Sequence, residues 1–321
     1  MMQAMADKGP EKNRQILSVA SITTAFNAAH LLPRHITALL QQSRPLQEIV
    51  IVDNGSTDGT RELLSREFPM VTVLDGGGNV GAAGGWAVGL AYAALEKKHD
   101  WVWSFDDDSI PDAGALEALL TDGVSADADA AIGIVAPLPI HKETQTGYLP
   151  MLWRNGFLKP QIEDVLKDDV WYADLVIASG ALVSRKVVET IGLPRADFFM
   201  DFFDFEYCLR ARAHGYKIAV ITKCQLSHKI GDAREIRLPG YKKMWPDYPP
   251  WREYYFTRNI VYAAWWLHPG AKGFVIKHLL RHVCGVLFFS KHRTKSLIRM
   301  FHGAKDGKGA KLGIRFLPKR S

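Results

Sequence analysis

Cysteine is scarce in this chain. Its three cysteines, Cys208, Cys224 and Cys284, are odd in number and widely spaced. That excludes a disulfide framework and a cysteine-only zinc site, and it points to a reducing compartment. No apolar run reaches the roughly 18 uncharged residues of a membrane-spanning helix. The first residues, Met1 to Arg14, are polar and lack an apolar core, so no secretory signal is read there. Acidic residues are nearly missing from the far end: Lys272 to Ser321 holds thirteen Lys/Arg against one acid, Asp306, a net of +12. The whole chain carries +6, so the rest carries −6. A mildly acidic body with a basic tail speaks for an enzyme that docks on an anionic surface rather than for a nucleic-acid binder. With 47% hydrophobic and 23% charged residues the composition is globular, and 321 residues suit one large α/β domain with an appendage.

What is present is an alternation. Ile16–Phe26 and Glu48–Val52 are β-branched, apolar and read as buried strands. Between them His30–Gln42 has helical spacing. A helix from Ser56 to Phe68, a strand at Val71–Leu74, a helix at Trp86–Lys97 and a strand at Trp101–Phe105 continue the pattern. This is a doubly wound α/β order with a parallel sheet, and ligands bind such sheets beyond the carboxyl ends of the strands. Asp53 and the run Asp106-Asp107-Asp108 fall there. Further strands are expected at Ala130–Val135, Leu175–Ser179 and Lys217–Thr222, and a helix within Met200–His214. From Trp251 the chain reads as helical. In Phe274–Phe289 the residues Ile276, Leu279, Leu280, Val283 and Leu287 share one face, with Lys277 and Arg281 on another. The expected division is a flexible 1–15, a catalytic 16–250 and a basic helical 251–321.

Three consecutive carboxylates after an apolar strand repel one another, and a divalent cation would relieve them; Mg²⁺ or Mn²⁺ suits oxygen donors with a phosphate partner. Asp106 and Asp108 point the same way from a strand end. A solvated acidic turn is the alternative. Asp53, in IVDNGSTDGT, can accept from a base N–H or a ribose hydroxyl, or simply form the turn. The stretch from Asn79 through Gly84, Gly85 and Trp86 resembles a phosphate-cradling loop but matches neither dinucleotide nor P-loop fingerprints. It has no Lys or Arg from Gly76 to Gly89, which counts against a nucleotidyltransferase. Carboxylates alternate with aromatics from Phe198 to Tyr207, a pattern suited to a base of tuned pKa on a sugar-binding wall. His228 lies in a loop after a strand. No Ser-His-Asp order and no aromatic platform for RNA are evident.

Taken in order, SVASITTAFN, IVDNGSTDGT, NVGAAGGWAVGL, WSFDDDSIP, ASGALVSR, DFFDFEYCLRARAHGY and a His loop resemble the family 2 inverting glycosyltransferases of GT-A fold, over roughly Ile16 to Asn259. The Asp-Asp-Asp form and the glycine-rich stretch are most similar to bacterial galactofuranosyltransferases, with rhamnosyltransferases close by. The resemblance implies a Rossmann-like sheet with helices on both faces and a C-terminal helical extension. It implies a nucleotide-sugar donor, a glycan or lipid-linked acceptor, and no nucleic acid. Asp53 would contact the uracil or ribose, beside the strand end that includes Thr24 and Phe26, and Asn79, Gly84, Gly85, Trp86 and Asp107 would also line the donor site. Asp106, Asp108 and His228 would hold Mn²⁺ or Mg²⁺. Asp204 matches the catalytic base, although Phe203 stands where many relatives carry Glu, so Asp201 and Glu206 remain alternatives. Cytoplasmic placement at the inner face of the cell membrane follows as an expectation.

Overall fold

The computed structural model describes residues 17–125, 131–141, 146–147, 149–227, 233–238 and 241–318. The strands are β1 (Val19–Ala25), β2 (Glu48–Asp53), β3 (Thr72–Asp75), β4 (Trp101–Asp106), β5 (Ile110–Pro111), β6 (Ile132–His141), β7 (Thr146–Gly147), β8 (Leu152–Trp153), β9 (Phe157–Leu158), β10 (Val170–Ala173), β11 (Leu182–Ser184), β12 (Lys217–Ser227), β13 (Ala233–Leu238) and β14 (Tyr241–Pro246). The helices are α1 (Leu32–Leu40), α2 (Thr60–Glu67), α3 (Gly81–Leu90), α4 (Ala115–Ala118), α5 (Ile162–Val165), α6 (Arg185–Ile191), α7 (Phe203–Ala213), α8 (Pro250–Tyr262), α9 (Lys272–Phe289) and α10 (Arg293–Lys308).

The main sheet runs β10-β12-β6-β11-β4-β1-β2-β3, with β5 on β12 and β7 on β6. The half from β4 to β3 is parallel, as its βα alternation requires. Beyond β4 the sheet is mixed: β11 is antiparallel to both β4 and β6, and β10 to β12. The parallel order read for the first four strands therefore holds, and the antiparallel pairing begins at β11. The strand expected at Leu175–Ser179 is absent too. Leu175 makes a single bridge to Met151, and Gly180 turns the chain with φ +87. β4 is apolar on both sides, and Val102 and Trp103 are fully buried in different clusters, because helices cover both faces of the sheet.

The glycine-rich stretch is a helix from Gly81 onward rather than a loop, and a π-helical turn, Ala91–Glu96, extends it. Glycine costs about 1 kcal/mol per helix position relative to alanine. Close packing offsets that cost: a Cβ at Gly85 would lie 2.4 Å from Thr24 Cγ2 on β1. The last helices are not a detached tail. Ile260, Val261 and Ala264 share the core with Ala20 of β1 and Val102 of β4.

Candidate active site

Strand register builds the site. Ala25 of β1 pairs with Asp53 of β2, Thr24 of β1 with Asp106 of β4, and Asp53 with Asp75 of β3. The two expected carboxylate sites thus flank the same end of β1, with neighbouring strands about 4.8 Å apart.

At β4 the triplet is braced from below. The Asp106 amide donates to Ser179 Oγ at 3.2 Å, and the Ser179 and Ser109 hydroxyls meet at 2.6 Å. The Phe26 amide donates to Asp107 Oδ2 at 3.3 Å, tying the end of β1 to the triplet. Burial, together with the charges of Asp106 and Asp108, pushes the Asp107 carboxyl up to about 7. Such accumulated negative charge is what a hard divalent cation would relieve, and carboxylate oxygens are its proper donors. Among the described residues no group of three His, Cys, Asp or Glu is arranged to hold a metal ion. His228 lies outside the described residues; the last residue before it, Ser227, pairs with Ile110, just past the triplet.

Asp53 is buried, and each of its carboxylate oxygens has a protein donor. Arg61 on α2 pairs with its Oδ2, and the Ser56 amide donates to Oδ1 at 3.0 Å. Sequence reading passed over Arg61; its signal was a lone cation in the first turn of the helix that follows a strand-end acid. Asn79 Oδ1 accepts the Gly81 amide at 3.0 Å, and the Ala83 amide donates to Phe199 O at 3.1 Å, so two donors of the α3 N-terminus already have partners. Gly84, Gly85 and Trp86 are buried inside α3, where Trp86 meets Phe203 and Tyr207 edge-on at 5.7 and 5.1 Å. Packing accounts for these three residues, whereas Thr24, Phe26 and Asn79 remain half-exposed at the rim.

Three carboxylates at the start of α7 have different surroundings. Asp201 is clamped by Arg252, whose Nη2 and Nε donate at 2.7 and 3.0 Å. Glu206 is held by Arg210 through two bonds of 3.0 Å. Asp204 has no cation partner among the described residues; it accepts the Phe205 amide at 2.9 Å and, weakly, the Ala178 amide at 3.4 Å. Burial first, and then the charges of Asp201 and Asp106, push its carboxyl up to about 7. Asp204 therefore senses the β4 triplet, and its pKa suits a proton acceptor near neutrality. Beside it Phe157, Phe202 and Phe205 form an aromatic cluster with centroids 5.6 to 6.0 Å apart. The preceding turn is strained: Phe199, Asp201 and Phe202 have φ of +63, +60 and +68. Each such non-glycine residue costs on the order of 1–3 kcal/mol. Arg258 and Asn259, which brace this turn from α8, also escaped sequence reading. The buried thiols of Cys208 and Cys224 are pushed up to about 12, which leaves them without thiolate character.

A mixed sheet with acidic strand ends and a carboxylate of raised pKa at the start of α7 suits a group-transferring enzyme. The model of the family "Glycosyl transferase family 2" matches residues 21–192, and the chain belongs to that family. It is 28% identical over 213 residues to dTDP-rhamnosyl transferase RfbF of Shigella flexneri, covering 66% of this chain and 68% of that one. It is 26% identical over 273 residues to galactofuranosyltransferase GlfT1 of Mycobacterium tuberculosis, covering 82% and 87%. Among solved structures it is similar to GalNAc-T7 with UDP, GalNAc and Mn²⁺ (TM-score 0.58, 16% identity, 92% of this chain and 57% of that one). It is also similar to Staphylococcus aureus TarS (TM-score 0.54, 14% identity, 86% and 44%). The chain spans about half the length of these two solved structures, and at such identities the likeness is one of fold, the GT-A fold.

Proposed function

We propose that this chain is a metal-dependent inverting glycosyltransferase that moves galactofuranose from UDP-galactofuranose to a hydroxyl of a glycan or lipid-linked acceptor in cell-surface polysaccharide synthesis. The observation that carries this reading is Asp204, the α7 carboxylate without a cation partner among the described residues, electrostatically coupled to the Asp106 end of β4. In an inverting transfer the acceptor oxygen attacks the anomeric carbon in line with the departing diphosphate. Asp204 takes the acceptor proton, and the Phe157–Phe205 cluster forms the apolar wall on which a sugar ring can lie. Asp53 and the ends of β1 receive the nucleoside. A divalent cation held by Asp106 and Asp108, with His228 as third ligand, would stabilise the charge of the departing diphosphate.

Donor choice is tested by supplying the protein with Mn²⁺ or Mg²⁺ and a panel of sugar nucleotides, scored by release of nucleoside diphosphate. Faster release from UDP-galactofuranose than from dTDP-rhamnose is expected. The relative named as a dTDP-rhamnosyl transferase supports the second reading, and the opposite ranking would establish it.

The same reading places the protein at the inner face of the cell membrane. No helix among the described residues is long and apolar enough to cross one. Instead α9 packs through Val275, His282, Gly285 and Val286 and turns Ile276, Leu280, Leu287 and Phe288 outward. Leu280 is 62% and Phe288 71% exposed, and Phe301 of α10 is 70% exposed. Lys277, Arg281, Lys291, Arg293 and Lys295 are exposed alongside, whereas Arg299 stacks on Phe316 at 3.6 Å. Such a face fits an anionic headgroup layer, each exposed cation contributing about 1 kcal/mol before screening. Because α10 packs along α8, the test substitutes exposed residues instead of truncating the chain. The intact protein is expected to pellet with anionic but not neutral vesicles, and the Leu280→Glu, Phe288→Glu double variant to stay in the supernatant. Equal pelleting with neutral vesicles would contradict the electrostatic part, and pelleting of the double variant the apolar part.

A further inference from the structure

We infer that Asn259, with its neighbour Arg258, is a positioning residue: it clasps the strained turn from which α7 departs and thereby aims Asp204. This rests on Asp204 as the base. Phe199 and Asp201 of the turn, and Phe202 at its end, have positive φ angles that non-glycine residues rarely adopt, and Phe202 is the N-cap of α7. Carbonyls in such a turn lack helix or strand partners and need donors from elsewhere. Asn259 reaches them from 61 residues beyond Phe198: the two N–H groups of its Nδ2 are shared among Phe198 O at 3.0 Å, Met200 O at 2.6 Å and Asp201 O at 2.8 Å. Arg258 Nη2 adds bonds to Asp197 O at 3.0 Å and Phe198 O at 2.8 Å. Arg258 Nε donates to Asn259 Oδ1 at 2.9 Å, which fixes which end of the amide faces the turn.

Both side chains are fully buried, and Arg258 directs its guanidinium to backbone carbonyls and the faces of Tyr254 and Tyr255 without a carboxylate partner among the described residues. Burying a guanidinium in this way is costly, and general packing of α8 does not require it. The arrangement specifies one conformation of the turn. On the same helix Arg252 clamps the Asp201 side chain, so α8 holds the segment at its carbonyls and at its carboxylate. If the clasp opens, the turn relaxes toward ordinary angles and the first turn of α7 rotates, carrying Asp204 out of line.

The test compares Asn259→Ala and Asn259→Asp with Tyr254→Phe, which removes the hydroxyl bonded at 2.7 Å to Asp306 of α10 and leaves in place the ring that packs against Arg258 and Phe199. The Asn259 variants are expected to lose about tenfold to a hundredfold in kcat, the scale of misplacing a catalytic group by about 1 Å. Affinity for UDP with Mn²⁺, measured by calorimetry, is expected to stay within about twofold. Amide hydrogen exchange over residues 199–204 should quicken in these variants and not in Tyr254→Phe. An unchanged kcat, or an equal kcat loss in Tyr254→Phe at matched thermal stability, would overturn the inference. Should the Asn259 variants fail to fold, Arg252→Gln, at a half-buried site, is expected to lower kcat at least about threefold without weakening UDP binding, and no effect there would overturn it as well. If the parent protein transferred no sugar, the functional reading would fall, while unaltered exchange at residues 199–204 in the variants would still refute the clasp.

Discussion

Replacing Asp204 with asparagine is expected to lower kcat by at least about a hundredfold, the usual scale for losing a general base, with little change in nucleotide affinity. The amide is nearly isosteric and still accepts from the Phe205 amide, but it cannot take a proton from the acceptor hydroxyl. The neighbouring carboxylates are poor substitutes, since Asp201 is held by Arg252 through three hydrogen bonds and Glu206 by Arg210 through two. If Asp201→Asn or Glu206→Gln had the larger effect on kcat, the assignment of the base would be wrong. The pH dependence has a definite sign. With its carboxyl pushed up to about 7, Asp204 is protonated and inactive at lower pH, so kcat should fall about tenfold per unit below that value, and the slope should vanish in Asp204→Asn. A folded-state pKa above the unfolded value means that ionising Asp204 works against folding. This penalty grows as pH rises from about 4, the unfolded value, to about 7, the folded one. Above pH 7 the asparagine variant should therefore melt no lower than the parent. Losing turnover while keeping stability is the pattern of a functional, not a structural, carboxylate.

The parts of the fold that sequence made legible are local. β1, β2 and β4 announce themselves as β-branched or aromatic runs that stop at a polar turn, and their order with intervening helices dictates the parallel half of the sheet. α3 was misread for its glycines, because propensity there yields to close packing against Thr24, which no local window contains. β11 and the antiparallel switch were missed because only three residues, Leu182–Ser184, form the strand. The candidate site divides in the same way. Asp53, Asp106, Asp107 and Asp108 follow from their place at strand ends, and Asp204 from its aromatic surroundings together with the family resemblance. Which of three acids has no cation partner among the described residues depends on Arg252 and Arg210, and so on tertiary structure. The Asn259 clasp crosses 61 residues. Its one trace in the sequence is a charged-polar pair, Arg258-Asn259, set within the aromatic and aliphatic run of α8.

Asp108→Ala, finally, is expected to remove most turnover, and an excess of chelator should do the same to the parent protein, with Mn²⁺ or Mg²⁺ restoring it. The argument is electrostatic. Ser179, Ser109 and the Phe26 amide brace the triplet, yet these are neutral groups. Asp107 is driven up to about 7 by burial and by its two flanking charges, so carboxylate charge is concentrated at this strand end. On the proposed reading, in which the strand ends receive a diphosphate, that charge would serve to hold a cation between two anions. Deleting Asp108 relieves repulsion, so the cooperative thermal transition should survive in chelator, and the Asp107 carboxyl should move back toward the ordinary range. Calorimetry with Mn²⁺ separates this account from a merely acidic turn: the parent should bind the ion and Asp108→Ala should bind it at least about tenfold more weakly. Full activity in excess chelator, or equal ion binding by both proteins, would remove the metal from the mechanism.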